Sequence, residues 1–180
     1  MKKYDIVVIG SGPAGHVAAL KAVKKGKSVA VVERAELGGV CLNWGCIPTK
    51  AMLKSAQVFH YIEAAEQYGI ELEGHANPSL DKIVARSRAV AAQMNKGIDF
   101  LFKKAGIDVL VGNGRIASKG VVEVTGADGS TESVEADHII LATGSRPREI
   151  PIMPVDGKRI ISSKEALTLS ELPERMIIVG

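Results

Sequence analysis

One glycine cluster limits the possible folds more than any other feature of the chain. Gly10-Ser11-Gly12-Pro13-Ala14-Gly15 spells G-x-G-x-x-G. It stands directly between a β-rich apolar run, Tyr4 to Ile9, and a stretch of small and apolar residues, Pro13 to Val23, that reads as a helix packed on a sheet. A second buried-strand candidate, Ser28 to Val32, follows. Strand, helix and strand within about thirty residues make a β-α-β unit, whose right-handed crossover sets the strands parallel. The expected fold class is α/β, with an open, doubly wound sheet. In such a turn Gly10 permits the tight bend, Gly12 lets backbone approach a pyrophosphate and Gly15 lets helix and strand pack closely, with phosphate at the positive end of the helix. Pro13 suits an early helical position that needs no donor. Glu33, 18 residues after Gly15, is placed to accept hydrogen bonds from both hydroxyls of an adenosine ribose. The motif by itself does not separate FAD from NAD.

Composition excludes several classes. The chain has 180 residues, room for one ordinary domain or a piece of a larger protein. With 46% hydrophobic and 24% charged residues it falls in the globular range rather than among disordered or fibrous chains. The net charge of +3 is scattered, so no footprint for nucleic acid stands out. Apolar runs such as Ile6 to Ile9 and Ile139 to Ala142 are far below the roughly 18 residues that span a bilayer, and the opening MKKYDIVVIG has no export signal. No membrane association and a cytoplasmic location are expected. In that compartment the only two cysteines, Cys41 and Cys46, call for a chemical explanation rather than a purely structural disulfide.

The rest of the chain reads as follows. Helical spacing predicts one long helix over Cys46 to Tyr68 and a second over Ser79 to Lys104, with a stripe of Leu80, Ile83, Val90, Met94, Ile98 and Leu101. Gly69 to Pro78 joins them as an antiparallel pair, and Ser79 is placed to cap the second. Asp108 to Val111 reads as a strand. Val121 to Thr125 and Glu132 to Glu135, around the Asp128-Gly129 turn, read as a small β-meander, and His138 to Leu141 as a separate buried strand. Ser162 to Glu165 gives a capping box before a short helix. The ending ERMIIVG is apolar and strand-like and resembles DIVVIG near the start; an ordinary terminal strand has the same pattern, but the expectation is that a second nucleotide-binding unit begins here.

The segment Gly38-Gly39-Val40-Cys41-Leu42-Asn43-Trp44-Gly45-Cys46-Ile47-Pro48-Thr49-Lys50 carries the strongest chemical signal. Five residues along a regular helix rotate one cysteine about 140° from the other, so a disulfide requires a distorted first turn, which Gly45 and Pro48 can supply. Closing so short a loop contributes only about 2 kcal/mol, so a redox-active pair is the better use than a structural bond, with a helix N-terminus and a lysine favouring thiolate. Two unrelated buried thiols are the plainer alternative. No metal site is expected, because neither a second cysteine pair nor a spaced histidine pair exists. His16, His60, His75 and His138 have no acidic neighbours in a triad-like pattern.

On these residues, together with Gly112-Asn113-Gly114 and Ala142-Thr143-Gly144-Ser145-Arg146-Pro147, the whole chain resembles the flavin-dependent pyridine nucleotide-disulfide oxidoreductases. The Leu-Asn-Trp filling and the Ile-Pro-Thr-Lys sequel are most similar to the branch that oxidises dihydrolipoyl groups; glutathione- and mercuric-reductase types, or a non-catalytic flavin-binding remnant, are the alternatives. The resemblance implies a Rossmann-like FAD-binding domain with a parallel sheet, two long helices and a small antiparallel β-meander over residues 1–150. Residues 151–180 would be a connecting segment and the first strand of an NAD-binding domain.

The resemblance also implies roles for individual residues. Gly10, Ser11, Gly12, Pro13, Ala14 and Gly15 would hold the FAD pyrophosphate, and Glu33 with neighbouring Arg34 the adenosine ribose. Gly39, Val40 and Cys41 would line the flavin nucleotide. Cys46 would be the sulfur against the flavin ring and Cys41 the one that exchanges with substrate. Lys50 would lie near the reactive edge of the isoalloxazine, Gly114 at the adenine end, and Thr143, Gly144 and Ser145 would close the site. NAD would serve in the complete enzyme only, whose implied partners are lipoyl-bearing proteins of 2-oxo acid dehydrogenase or glycine cleavage complexes and a second copy in a homodimer. The family's catalytic histidine and its glutamate partner come from a dimerisation domain that this sequence lacks, so the 180-residue chain alone is expected to be inactive.

Overall fold

A computed structural model describes all 180 residues. In chain order the elements are β1 (Lys2–Ile9), α1 (Pro13–Lys24), β2 (Val29–Glu33), α2 (Gly39–Trp44), α3 (Cys46–Glu63), a 3-10 turn (Ala65–Tyr68), α4 (Leu80–Ala105), β3 (Asp108–Val111), β4 (Asn113–Ser118), β5 (Val121–Thr125), β6 (Thr131–Leu141) and α5 (Ser163–Ala166). They fall into two compact units, Met1–Asn43 with Ala92–Arg146, and Trp44–Ala91 with Pro147–Gly180.

The first unit holds a six-stranded sheet in the order β3-β2-β1-β6-β5-β4. β3, β2, β1 and β6 are parallel and β5 and β4 antiparallel. Val7 pairs with Ala30 and Ile9 with Val32, while Val8 pairs with Val31. Because successive side chains alternate, these pairs lie on opposite faces. The Val7 and Ile9 face joins Val122, Val124, Val134 and Ala136 of the antiparallel strands in one core, so the meander covers that side. α1 packs on β1 and β2 and buries Gly15, Ala19 and Ala22, residues small enough to bring the helix close. A strand covered on both faces needs an unbroken apolar run, which is what Val7, Val8 and Ile9 provide, each at most 5% exposed. At the opposite end of the strands, Asp108 accepts from Lys2 Nζ at 2.7 Å and Tyr4 Oη at 2.8 Å. These two donors hold its carboxyl below the ordinary range.

In the second unit, Arg86 of α4 donates to the Ala51 carbonyl of α3 at 2.7 Å and Arg88 lies 4.0 Å from the centre of the Trp44 ring. Along the α2–α3 stretch the partner number falls as the α4 number rises, from Ala51 in α3 to Trp44 at the end of α2, the order expected of an antiparallel arrangement. Lys164 lies 4.6 Å from the same ring, and Ser162 and Glu165 form the expected capping box before α5.

Several sequence expectations need correction. The predicted strands Glu132–Glu135 and His138–Leu141 are one strand of 11 residues. One edge pairs with β5 over residues 131–135 and the other with β1 over residues 134–141, so Val134 and Glu135 are paired on both sides, and His138 and Leu141 are exposed rather than buried. β4 has no signature in the sequence, because none of its side chains is buried and no alternation betrays it. α3 stops at Glu63, the remainder tightening into the 3-10 turn before Gly69. Ser79 is a weak cap, its hydroxyl 3.5 Å from the Lys82 nitrogen. Apart from these corrections, the run Met176–Val179 is exposed and has no strand partner in this chain, with Ile177 at 90%. No helix is long and apolar enough to cross a membrane.

Candidate functional site

The C-terminal ends of β1, β2 and β6 converge on the glycine turn. Gly10 donates to the Val32 carbonyl at 2.8 Å and Ala142 to that of Ile9 at 2.8 Å. Gly10 has φ +102°, and a Cβ there would lie 2.2 Å from the Ala142 oxygen. A Cβ on Gly15 would lie 1.9 Å from the Gly10 oxygen, so both positions exclude any side chain. Gly12 differs: a Cβ there meets nothing within 4 Å. The space in front of Gly12 is open, and Gly12 is the N-cap of α1 with no side-chain capping bond and no acidic residue in the first turn. Pro13 and Ala14 are exposed there. The amide groups at this helix end are therefore available to an anion. The buried Nδ1 of His16, one turn further along α1, has no hydrogen-bond partner.

Glu33 closes β2 and is 9% exposed. Its Oε2 accepts from the Ser11 nitrogen at 2.9 Å and the Ser11 hydroxyl at 2.5 Å, and its Oε1 from the Ala35 nitrogen at 3.0 Å. An ionised carboxylate offers about four acceptor positions, so three are used and room remains for a hydroxyl donor. Arg34, beside it, is exposed. The Ser11 hydroxyl also accepts from the Gly38 nitrogen at 3.2 Å. This ties the glycine turn to the loop that leads into α2. At Gly39, φ is +62° and a Cβ would lie 2.8 Å from the Gly12 Cα, so the two backbones touch.

Cys41 and Cys46 are both disulfide-bonded and no free cysteine remains. The distortion expected at Gly45 separates them into two helices. Cys41 lies in α2, Cys46 opens α3, and Gly45 (φ −150°, ψ −113°) interrupts the helix between them. The break removes the 140° divergence that a continuous helix would impose. Val40 is exposed, as is Lys50 on α3. Gly114 packs in β4, its would-be Cβ 3.0 Å from both Ile9 and Val32. Thr143, Gly144 and Ser145 follow β6, exposed, with the Thr143 Cα 3.3 Å from where a Gly10 Cβ would stand. The first unit thus assembles Gly10, Ser11, Gly12, Gly15, Glu33, Gly39, Gly114 and Thr143 around one turn.

Sequence reasoning missed two asparagines. Asn43 Nδ2 donates to the carbonyls of Leu37 at 2.8 Å and Gly39 at 3.0 Å, and Asn95 Nδ2 of α4 donates to the same Leu37 carbonyl at 2.7 Å. The buried stripe of α4 is Ser87, Ala91, Ile98 and Phe102, whereas Met94 and Leu101 are exposed. Asn95 occupies that stripe at helical spacing. A polar residue in an apolar row was the available signal.

Comparison with known proteins agrees with this geometry. The profile of the family described as pyridine nucleotide-disulphide oxidoreductase matches residues 4–180. The dihydrolipoyl dehydrogenases of Chlorobaculum parvum and Rhizobium etli are 47% and 42% identical over 178 and 195 residues, each alignment covering 99% of this chain and 38% and 40% of those proteins. The crystal structure of LpdA from Mycobacterium tuberculosis superposes with a TM-score of 0.84 at 28% identity, over 97% of this chain and 38% of that one. The chain therefore spans about two fifths of the length of the relatives it matches.

Proposed function

The chain belongs to the pyridine nucleotide-disulphide oxidoreductase family, and from that premise we propose that it is the FAD-binding, redox-disulfide portion of a dihydrolipoyl dehydrogenase. The observation that carries the proposal is the disulfide of Cys41 and Cys46, with the loop before it packed on the glycine turn, Gly39 against Gly12. The residues present fit a dinucleotide: open space at Gly12, uncapped amides at α1, spare acceptor capacity on Glu33, and a buried His16 nitrogen without a partner. Gly10 to Gly15 would hold the pyrophosphate, Glu33 and Arg34 the ribose, Gly114 the adenine end, and Gly39, Val40, Cys41, Cys46 and Lys50 the flavin end, with Thr143 to Ser145 closing the site. When bound, FAD supplies a two-electron carrier between the dithiol and NAD+.

In the complete protein, one thiolate of a protein-bound dihydrolipoyl group attacks the Cys41 sulfur, and the Cys41–Cys46 bond breaks with Cys46 leaving as thiolate. The second substrate thiol, once deprotonated, attacks the substrate sulfur of the mixed disulfide and releases the Cys41 thiolate. The substrate is oxidised to its cyclic disulfide and the protein holds two electrons on two sulfurs. The N-terminus of α3 at Cys46 favours the thiolate there. The same proposal takes residues 1–150 as the FAD domain and 151–180 as the connection and opening strand of an NAD-binding unit, supported by the apolar, exposed run Met176–Val179. Lipoyl-bearing protein partners, a homodimer and a cytoplasmic location belong to it as well. Flavin uptake tests it: the purified chain is expected to bind FAD, and its cysteines to resist alkylation until a dithiol is added. A folded sample that takes up no flavin, or whose cysteines alkylate without reduction after aerobic purification, refutes the proposal.

A further inference from the structure

Leu37 presents one carbonyl oxygen to two side-chain amides, Asn43 Nδ2 at 2.8 Å and Asn95 Nδ2 at 2.7 Å. Asn43 also reaches the Gly39 carbonyl at 3.0 Å, and its Oδ1 lies 3.4 Å from Asn95 Nδ2. Asn43 is 4% exposed and stands between the two cysteines in sequence, whereas Asn95 comes from α4, 52 residues later. Burying an amide is unfavourable unless it is bonded, and an aliphatic residue at position 95 would continue the Ala91, Ile98 and Phe102 stripe and suit a helix better. The polar residue is explained by what it bonds. That is the loop feeding α2, which carries Cys41, and none of the residues assigned to the dinucleotide is in this clamp except Gly39.

We infer that Asn95 is a positioning residue for the redox disulfide: with Asn43 it holds the backbone of residues 37–39, and so the α2 turn carrying Cys41, in the conformation that the bond to Cys46 requires. The inference rests on the reading of the cysteine pair as redox-active. Clamp and crosslink restrain the same short stretch of backbone. Each reduces the conformational entropy that the other must overcome, so their free energies are coupled and the coupling is reciprocal. The clamp favours the disulfide over the dithiol, and the disulfide strengthens the clamp. A buried amide that only filled space or stabilised the fold would raise the stability of both redox forms alike.

The test equilibrates the purified full chain in buffers of reduced and oxidised dithiothreitol. In each exchange the reagent loses two electrons and two protons as it closes to its cyclic disulfide, and the Cys41–Cys46 bond opens to two thiols. The oxidised fraction is read by alkylation and mass spectrometry, and thermal midpoints are recorded for both forms. Asn95→Ala is expected to shift the equilibrium about tenfold toward the dithiol, the size of one net hydrogen bond, and to lower the midpoint of the oxidised form more than that of the reduced form. Asn95→Leu, which fills the volume without a donor, takes the place of the alanine variant if that one does not fold. Asn95→Gln, which keeps the donor, is expected to recover part of the shift. An unchanged equilibrium in the donorless variants, with both forms destabilised equally, overturns the inference. A wild-type pair that dithiothreitol cannot reduce at all overturns the redox reading and the inference with it.

Discussion

Two glycines three residues apart should respond in opposite ways to the same added methyl group. At Gly15 a Cβ falls 1.9 Å from the Gly10 oxygen and 2.9 Å from the Gly10 carbonyl carbon. An ordinary carbon–oxygen contact is about 3.3 Å, so α1 and the turn would have to separate by about 1.4 Å. Overpacking of this kind costs about 1–3 kcal/mol, occasionally more. The upper end applies here because backbone rather than a flexible side chain must move, and because Ala19 and Ala22 leave the sheet with the helix. In a chain of this size 3 kcal/mol corresponds to roughly 6–12 °C in Tm. At Gly12 the Cβ meets nothing, and φ −59° with ψ −178° suits alanine. Reduced freedom of the unfolded chain favours alanine by about 0.4–1 kcal/mol, while alanine is the poorer N-cap by a similar amount, so flavin-free stability should hardly change. The methyl group would instead occupy the space offered to phosphate. Loss of one charge-assisted hydrogen bond, about 1.5–3 kcal/mol, weakens FAD binding by roughly 10- to 150-fold. Thermal unfolding without flavin and a flavin-fluorescence titration separate the two effects. A Gly12→Ala variant that melts several degrees low or binds FAD like wild type, or a Gly15→Ala variant that melts normally, would refute the reasoning.

Two further outcomes are expected. The Ser28 hydroxyl, then the Ser28 amide and Lys27, hold the Asp5 carboxyl down from 3.8 to about 2; a depressed carboxyl stabilises the fold above its unfolded value, and the contribution fades as pH falls toward 2. The advantage of wild type over Asp5→Asn in thermal midpoint should therefore be present at neutral pH, shrink below about pH 4 and fall to a small remainder at pH 2, where half of the folded-state carboxyl is still ionised, and an advantage at pH 2 as large as at neutral pH would exclude this cause. Phe102 is 0% exposed, and Phe102→Ala should cost about 3–5 kcal/mol in urea unfolding followed by circular dichroism, with a loss below about 1 kcal/mol showing that the site collapses around the gap.

What the sequence disclosed depended on whether one local rule governed a segment. The β-α-β unit was legible to within two residues, because a doubly covered strand, a close-packed helix of small residues and a glycine turn each leave a short-range mark. β4 left none, since its residues are exposed or half-buried and it is fixed by partners rather than by its own letters. The expected stripe of α4 holds at Ile98, which is buried, and at Leu80, Ile83 and Val90, which are half-buried, whereas Met94 and Leu101 are exposed and Ser87, Ala91 and Phe102 complete the buried row, so hydrophobicity alone placed part of the face one position out. At the site, residue types predicted the places of Gly10, Gly12, Gly15 and Glu33. They could not predict that Ser11 donates twice to Glu33, because a serine inside a glycine motif has no distinctive pattern.

The position of the cysteines in the chain follows from these contacts. Glu33 ends β2 and Gly38 lies only five residues later, so the segment leaving the strand has to turn back across the glycine motif at once. The Ser11 hydroxyl makes that return possible by using both its capacities, donating to Glu33 and accepting from Gly38. Absence of a side chain at Gly39 then lets the returning backbone touch Gly12, and the two asparagines hold Leu37 and Gly39 from the other side. α2 begins at the end of this pinned loop, and Cys41 is its third residue. The carboxylate that ends β2 and the first sulfur of the disulfide are thus linked by one short polar chain, with Ser11 as its middle member. The five-residue spacing from Glu33 to Gly38 leaves Arg34, Ala35 and Glu36 exposed and brings Leu37 and Gly38 directly to their partners.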